Sequence, residues 1–252
     1  MKGAEQIFID KKSKTGVLML HGFSSTPAEF KELSVFMADK GFNVSAPVIA
    51  GHGTTIEDFM KTSPKDWTKS VLDAYLKFKK VSEKIFIIGD SFGSNLGFWL
   101  VKETDNEPEG IITLGAPIFL KYHLFLLCRL YSYGLFKKYY HKHPRIYKTD
   151  YIDMIDEISY PVIPSKNLRQ FFSFIKKETM PNLNKIKIPA LIAHSNSDPV
   201  INLKSATYIY EHLGSSFKKI YWFESNYHVM TVDEHRLELF NKIFDFIQEV
   251  NY

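Results

Sequence analysis

Ile85-Phe86-Ile87-Ile88-Gly89-Asp90-Ser91-Phe92-Gly93-Ser94-Asn95-Leu96 carries three signals in immediate succession. Four consecutive apolar residues read as a strand buried on both faces. A Gly-x-Ser-x-Gly turn follows at once, and from Asn95 to Val101 the chain reads as a helix. The five-residue pattern alone arises by chance in roughly one chain in ten of this length, with Gly and Ser each near 7% of residues. Its setting is what makes it specific, because strand, sharp turn and helix together make a nucleophile elbow. Such a turn holds the serine in strained dihedrals, and the flanking glycines let strand and helix approach closely. The Ser91 hydroxyl then projects from the end of the sheet. The Phe92 amide, at a helix N-terminus, faces a developing oxyanion. A serine that merely caps a helix is the plainer alternative, and the flanking residues favour the elbow.

Outward from this turn, short apolar runs alternate with amphipathic stretches, the pattern of a mostly parallel sheet with crossover helices. Gln6 to Asp10, Gly16 to Leu20, Asn43 to Pro47, Ile111 to Leu114, Ala190 to Ala193 and Ile220 to Phe223 read as further strands. Pro27 to Lys40 reads as a helix, with Pro27 in its first turn and Gly41 as its stop. Trp67, Val71, Leu72, Tyr75 and Phe78 fall at helical spacing, as do Leu237, Phe240, Ile243, Phe244 and Ile247 in the closing helix. Between Pro117 and about Ile188 the alternation stops, and the segment reads as helices and loops without an internal strand. The expected division is a core of residues 1–117 and 189–252 with a cap, or lid, of residues 118–188. The cap enters at the carboxyl ends of the strands, where open α/β sheets bind ligands.

A serine hydroxyl needs a base to take its proton, and the base needs an orienting carboxylate. In this architecture the chain order is Ser, then Asp or Glu, then His. Of the nine histidines, His228 alone lies just past the last strand, in Glu224-Ser225-Asn226-Tyr227-His228. His235 falls at the start of the closing helix. Asp198 follows the strand Ala190 to Ala193, in the polar turn Ser195-Asn196-Ser197-Asp198-Pro199. Asp233 is the rival acid, and it reads better as a cap of the closing helix. The second oxyanion donor is expected from the loop after an early strand, His21-Gly22-Phe23-Ser24-Ser25, with the Phe23 amide as candidate and His21 as a structural residue beneath it.

The formal charge of +4 on 252 residues, with no basic repeat and no zinc spacing, gives no support to a nucleic-acid partner. The single cysteine, Cys128, excludes an intrachain disulfide and reads as a packed apolar residue. The first residues carry no secretory pattern, so a cytoplasmic location is the expectation. No ligand cluster suggests a metal, and no cofactor is expected.

With these residues in place, the chain resembles the bacterial carboxylesterase and monoacylglycerol-lipase branch of the α/β-hydrolase superfamily. The matching segments are His21-Gly22-Phe23, Gly51-His52-Gly53-Thr54, the Gly89 to Gly93 elbow, Ser197-Asp198-Pro199-Val200 and Ser225-Asn226-Tyr227-His228-Val229. The resemblance implies an α/β-hydrolase fold: a mostly parallel sheet flanked by helices, with a helical cap between two sheet strands. It also implies Ser91, Asp198 and His228 as a triad, Phe23 and Phe92 as oxyanion donors, and a small ester substrate with an apolar acyl or aryl group. Two positions depart from the family's pattern: Ser94 stands where a second glycine is usual, and Asp90 where an apolar residue or histidine is usual.

An aryl-ester (feruloyl-type) esterase, a thioesterase and a peptidase use the same elbow. A non-catalytic α/β-hydrolase serving as a binding protein is the alternative from another class. Between Lys121 and Lys148 there are seven Lys or Arg and no Asp or Glu, interleaved with aromatic and aliphatic residues. A cap packed on the core with a solvated basic rim is the favoured expectation, beside weak contact with an anionic membrane surface. Cap residues such as Phe119 and Phe125 are candidates for the substrate pocket.

Overall fold

The computed structural model describes residues 3–121, 138–141 and 159–251. In chain order the strands are β1 (Ile7–Ile9), β2 (Thr15–Leu20), β3 (Asn43–Ala46), β4 (Lys84–Asp90), β5 (Gly110–Leu114), β6 (Tyr139–His141), β7 (Val162–Pro164), β8 (Ala190–Ser195) and β9 (Lys218–Phe223). The helices are α1 (Lys31–Asp39), α2 (Ile56–Lys61), α3 (Pro64–Phe78), α4 (Phe92–Glu103), α5 (Ser165–Phe174), α6 (Lys204–His212) and α7 (Arg236–Asn251). Seven strands form one sheet in the order β1-β3-β2-β4-β5-β8-β9. All neighbours are parallel except the edge pair β1 and β3.

The central strands are apolar throughout because both faces are covered, and the two-residue period deals their side chains to two cores. Leu18, Leu20, Ile85, Ile87 and Ile111 pack with Trp67 and Tyr75 of α3 and Leu96 of α4 on one face. Val17, Met19, Phe86, Ile88 and Ile112 pack with Leu33 of α1 and Phe240 of α7 on the other. Removing one such buried ring, as in Phe240→Ala, costs about 3–5 kcal/mol. Helix α3 starts at a capping box, where the Ser63 amide and hydroxyl both donate to Asp66 Oδ2, and Pro64 fills the first turn.

From β2 the chain moves outward to β3 and then returns to place β4 on the other side of β2. The strand order therefore reverses between β2 and β4, and ligands bind at such a switch point, beyond the carboxyl ends. Leu20 is paired with Gly89, so the loop at His21 and the elbow at Ser91 leave the sheet side by side.

Three sequence expectations are modified. The Pro27 to Lys40 segment divides into a 3-10 turn, Pro27–Phe30, and α1. Helices α2 and α6 lie in stretches to which the sequence reading assigned no element. The inserted segment is not free of strands, since β6 and β7 pair antiparallel within it, Tyr140 opposite Ile163. Strands of three residues are too short to display an alternation, so the ladder left no periodic signal. Phe125, Cys128 and most of the basic run from Lys121 to Lys148 lie outside the described residues. Among the described residues no helix is long and apolar enough to cross a membrane.

Candidate active site

Ser91 joins β4 to α4 with φ 48° and ψ −120°, a conformation that non-glycine residues avoid. Holding it costs on the order of 1–3 kcal/mol, and the surroundings supply the restraint. The Ser91 amide donates to the Leu114 carbonyl at 2.7 Å, and the Ser94 amide donates to the Ser91 carbonyl at 3.0 Å. Both glycines of the motif are steric necessities: a Cβ on Gly93 would run into the Leu20 carbonyl, and one on Gly89 into the backbone of Ser94. Ser94 is fully buried and donates its hydroxyl to the Gly89 carbonyl at 2.6 Å. The additional hydroxyl thus fastens the turn.

His228 reaches this serine from the loop after β9, with Nε2 2.9 Å from Ser91 Oγ. Its Nδ1 lies 2.8 Å from Asp198 Oδ2. A carboxylate can only accept, so the proton sits on Nδ1 and leaves Nε2 to accept from the serine. Gly115, at the end of β5 with φ +58°, makes room for the ring; a Cβ there would stand 3.3 Å from His228 Cε1. Asp198 is fully buried, and its Oδ1 accepts the amides of Val200 at 2.7 Å and Ile201 at 2.9 Å. Burial alone would raise its pKa; the attraction of His228 when protonated and its Nδ1 hydrogen bond, with the two amides, outweigh it and hold Asp198 below the ordinary carboxylate value.

The loops bearing Asp198 and His228 are tied to each other. Ser195 Oγ donates to the Ser225 carbonyl at 2.5 Å, and the Ser197 amide donates to the same carbonyl at 3.3 Å. Ser225 Oγ in turn donates to Asp233 Oδ2 at 2.5 Å, so Asp233 is occupied with holding the loop that carries His228. Asp233 Oδ1 accepts the His235 amide at 2.7 Å, just ahead of α7. His194, at the end of β8, is buried with Nε2 3.6 Å from Asp198 Oδ2. Burial dominates its titration and lowers its pKa to about 4, so it is a neutral imidazole behind the acid.

Among the described residues, neither the Phe23 nor the Phe92 amide donates a hydrogen bond. The loop carrying Phe23 is held from below by a residue the sequence reading passed over. Glu29, buried in the 3-10 turn, accepts the Gly22 amide at 2.8 Å and the Ser25 hydroxyl at 2.5 Å. The available signal was an acidic residue four positions after Ser25, a spacing that exposed helices share. His21 is buried; its Nε2 accepts the Ile49 amide at 3.0 Å and its Nδ1 donates to the Gly22 carbonyl at 3.0 Å. Burial pushes its pKa down to about 4, which keeps it neutral and structural.

Asp90 turns away from the cleft into the protein, with Oδ2 about 3.4 Å from where a Cβ on Gly22 would stand. Its carboxyl is buried and has no hydrogen-bond partner among the described residues. Burial first, then the charges of Glu29 and Asp198, raise its pKa well above the ordinary value and favour the protonated form. Phe119, half-buried, packs edge-on against Tyr208 of α6 with centroids 5.4 Å apart. Among the described residues no group of three or more His, Cys, Asp or Glu could hold a metal ion.

Comparison with known proteins bears on what such a site does. Over 248 residues the chain is 27% identical to a carboxylesterase of Bacillus subtilis (strain 168), covering 97% of each chain. Over 251 residues it is 29% identical to a thermostable monoacylglycerol lipase of Bacillus sp. (strain H-257), covering 96% of each. Its fold superposes with a TM-score of 0.89 and 26% identity on a solved structure from work on two metagenome-derived lipolytic enzymes, LipS and LipT, covering 99% of each chain. Residues 11–235 match the family model described as serine aminopeptidase, S33, a span that contains the elbow and both loops that meet at Ser91, and the chain belongs to this family of α/β-hydrolases.

Proposed function

We propose that this chain hydrolyses small carboxylic esters by two-step acyl transfer, with Ser91 as nucleophile, His228 as general base and acid, and Asp198 as the residue that orients His228. The observation that carries the reading is the continuous contact from Asp198 Oδ2 to His228 Nδ1 at 2.8 Å and from His228 Nε2 to Ser91 Oγ at 2.9 Å. Ser91 Oγ attacks the ester carbonyl as His228 Nε2 takes its proton, and Asp198 stabilises the imidazolium that results. The Phe23 and Phe92 amides receive the oxyanion. Collapse of the tetrahedral adduct breaks the bond to the alcohol, which takes the proton from His228. Water then repeats the sequence on the acyl-enzyme and regenerates the Ser91 hydroxyl.

The family's description names an aminopeptidase, and the chemistry of the site serves amides as well as esters. Two full-length relatives, one a carboxylesterase and one a monoacylglycerol lipase, support the ester reading. Residues 118–188 form the cap in this proposal, and the rest of the chain forms the catalytic core. A panel of p-nitrophenyl esters, monoacylglycerols, feruloyl esters, acyl thioesters and aminoacyl anilides tests it, with a fluorophosphonate probe alongside. Turnover of the oxygen esters together with labelling of Ser91 is the expected result. Labelling with turnover of anilides alone would make the chain a peptidase, and neither labelling nor turnover would make it a binding protein.

A further inference from the structure

The chain re-enters the described structure at Ser159, and the next residue, Tyr160, is 3% exposed although it belongs to the inserted segment. Its amide donates to the Ser24 carbonyl at 3.0 Å. Its phenol donates to the Gly51 carbonyl at 2.9 Å and accepts the Thr54 amide at 3.1 Å. Its ring stacks on Phe59 of α2, with centroids 5.6 Å apart and planes 22° from parallel. One side chain therefore closes the Gly51–Thr54 turn, while its backbone closes the loop that follows Phe23.

Both attachments lead to the same amide. Ser24 is the residue after Phe23 and sits at φ 61°, a left-handed conformation that needs restraint in a non-glycine residue. The Gly51–Thr54 turn is likewise left-handed at Gly51 (φ +79°) and Gly53 (φ +69°), and it presents the His52 ring. That ring packs 4.5 Å from Phe59, 5.0 Å from His21 and 6.2 Å from Phe23, centroid to centroid. Phe23 is thus held through Ser24 on its backbone side and through His52 and Phe59 on its ring side. Phenylalanine would fill the same space and make the same stack. A buried hydroxyl costs free energy unless it is paired, and this one is paired to the Gly51 carbonyl, the Thr54 amide and, at 3.5 Å, the Thr54 hydroxyl, all in a single turn.

We infer that Tyr160 is a positioning residue for the Phe23 amide, fixing the oxyanion loop from the returning end of the inserted segment. The inference rests on the ester-hydrolase reading above, in which that amide receives the oxyanion. A donor of this kind acts only within about 2.7–3.1 Å of the developing charge, and complete loss of one costs roughly 10²–10³ in kcat. A donor displaced rather than lost costs less.

Tyr160→Phe keeps the stack and the bond to Ser24 and removes only the phenol contacts. The experiment compares wild type and Tyr160→Phe for kcat and KM on a soluble p-nitrophenyl ester. It also compares Ki for an alkyl boronic acid, which forms a tetrahedral adduct on a nucleophilic serine. Active-site titration with a fluorophosphonate counts the folded enzyme in each sample, so a less stable variant is still measured per competent site. The expected result is a kcat lower by about tenfold, a boronate Ki higher by a similar factor, and a KM within about twofold. A lower melting temperature with kcat and Ki both unchanged overturns the inference and leaves Tyr160 a structural residue. Wild type that turns over no ester fails the ester reading alone, and the two boronate constants then still decide the role of Tyr160.

Discussion

Glu29 Oε1 lies 2.8 Å from the Gly22 amide nitrogen, so the His21–Gly22 peptide, one unit ahead of the Phe23 amide, is anchored to a buried carboxylate seven residues further along. Its other oxygen takes the Ser25 hydroxyl, and the loop between Gly22 and Ser25 is spanned by one side chain. Glu29→Ala strands the Gly22 donor at a cost of about 1–3 kcal/mol. The expected outcome is a lower melting temperature together with a kcat loss larger than any change in KM. Glu29→Gln keeps an oxygen for Gly22, and the Ser25 hydroxyl can turn to accept from its amide group, so both effects shrink. Equal losses in the two variants would locate the role in the charge of Glu29 instead of its hydrogen bonds.

Ser91→Ala removes the nucleophile of the proposed reaction and leaves the turn's own hydrogen bonds in place, because those are made by the backbone. Ester turnover is expected to fall by about 10⁴-fold or more, with fluorophosphonate labelling lost and the thermal midpoint little changed. Residual activity within about tenfold of wild type would take Ser91 out of the nucleophile role.

Asp198→Asn retains an acceptor for the Val200 and Ile201 amides, but its NH2 group can face His228. That arrangement favours the imidazole tautomer with the proton on Nε2, where it can no longer accept from Ser91. The expected kcat loss is about 10⁴-fold at neutral pH, the scale of the same change in a serine protease. A kcat within an order of magnitude of wild type would show that another carboxylate orients the base.

Asp90 makes stability depend on pH. Its pKa in the folded chain lies above the ordinary value of 3.8. Below that ordinary value both states hold the proton, and the wild type loses nothing. As the pH rises, the unfolded chain releases a proton that the folded chain keeps, so folding is progressively disfavoured until the folded pKa is passed. Asparagine cannot ionise. Asp90→Asn is therefore expected to gain in melting temperature over wild type as the pH rises above the ordinary carboxylate value of 3.8. Parallel melting curves across that range would place the Asp90 carboxyl in contact with water.

What the sequence revealed was local chemistry and chain order. The elbow was readable because two glycines and an apolar run stand next to Ser91, and the positions of Asp198 and His228 followed from counting strands. Glu29, Asp90 and Tyr160 were not readable in the same way. Whether the carboxyl of Asp90 faces the cleft or the interior depends on which face of β4 it occupies, and on what Gly22 leaves open beside it. The pairing of Tyr160 with Ser24 joins residues whose proximity depends on where the insertion re-enters. The β6–β7 ladder escaped because three residues show no period.

Strands β5 and β8 are direct neighbours in the sheet although the whole inserted segment runs between them. Grafting a foreign insertion at this junction would leave every ladder of the seven-stranded sheet intact, so the segment can be exchanged without reordering the sheet. The graft is not a free transplant, however. A donor segment that replaced Tyr160 without a counterpart would leave the Ser24 loop and the Gly51–Thr54 turn without their tether, so productive chimeras should rejoin this chain upstream of Tyr160 or carry an equivalent tyrosine.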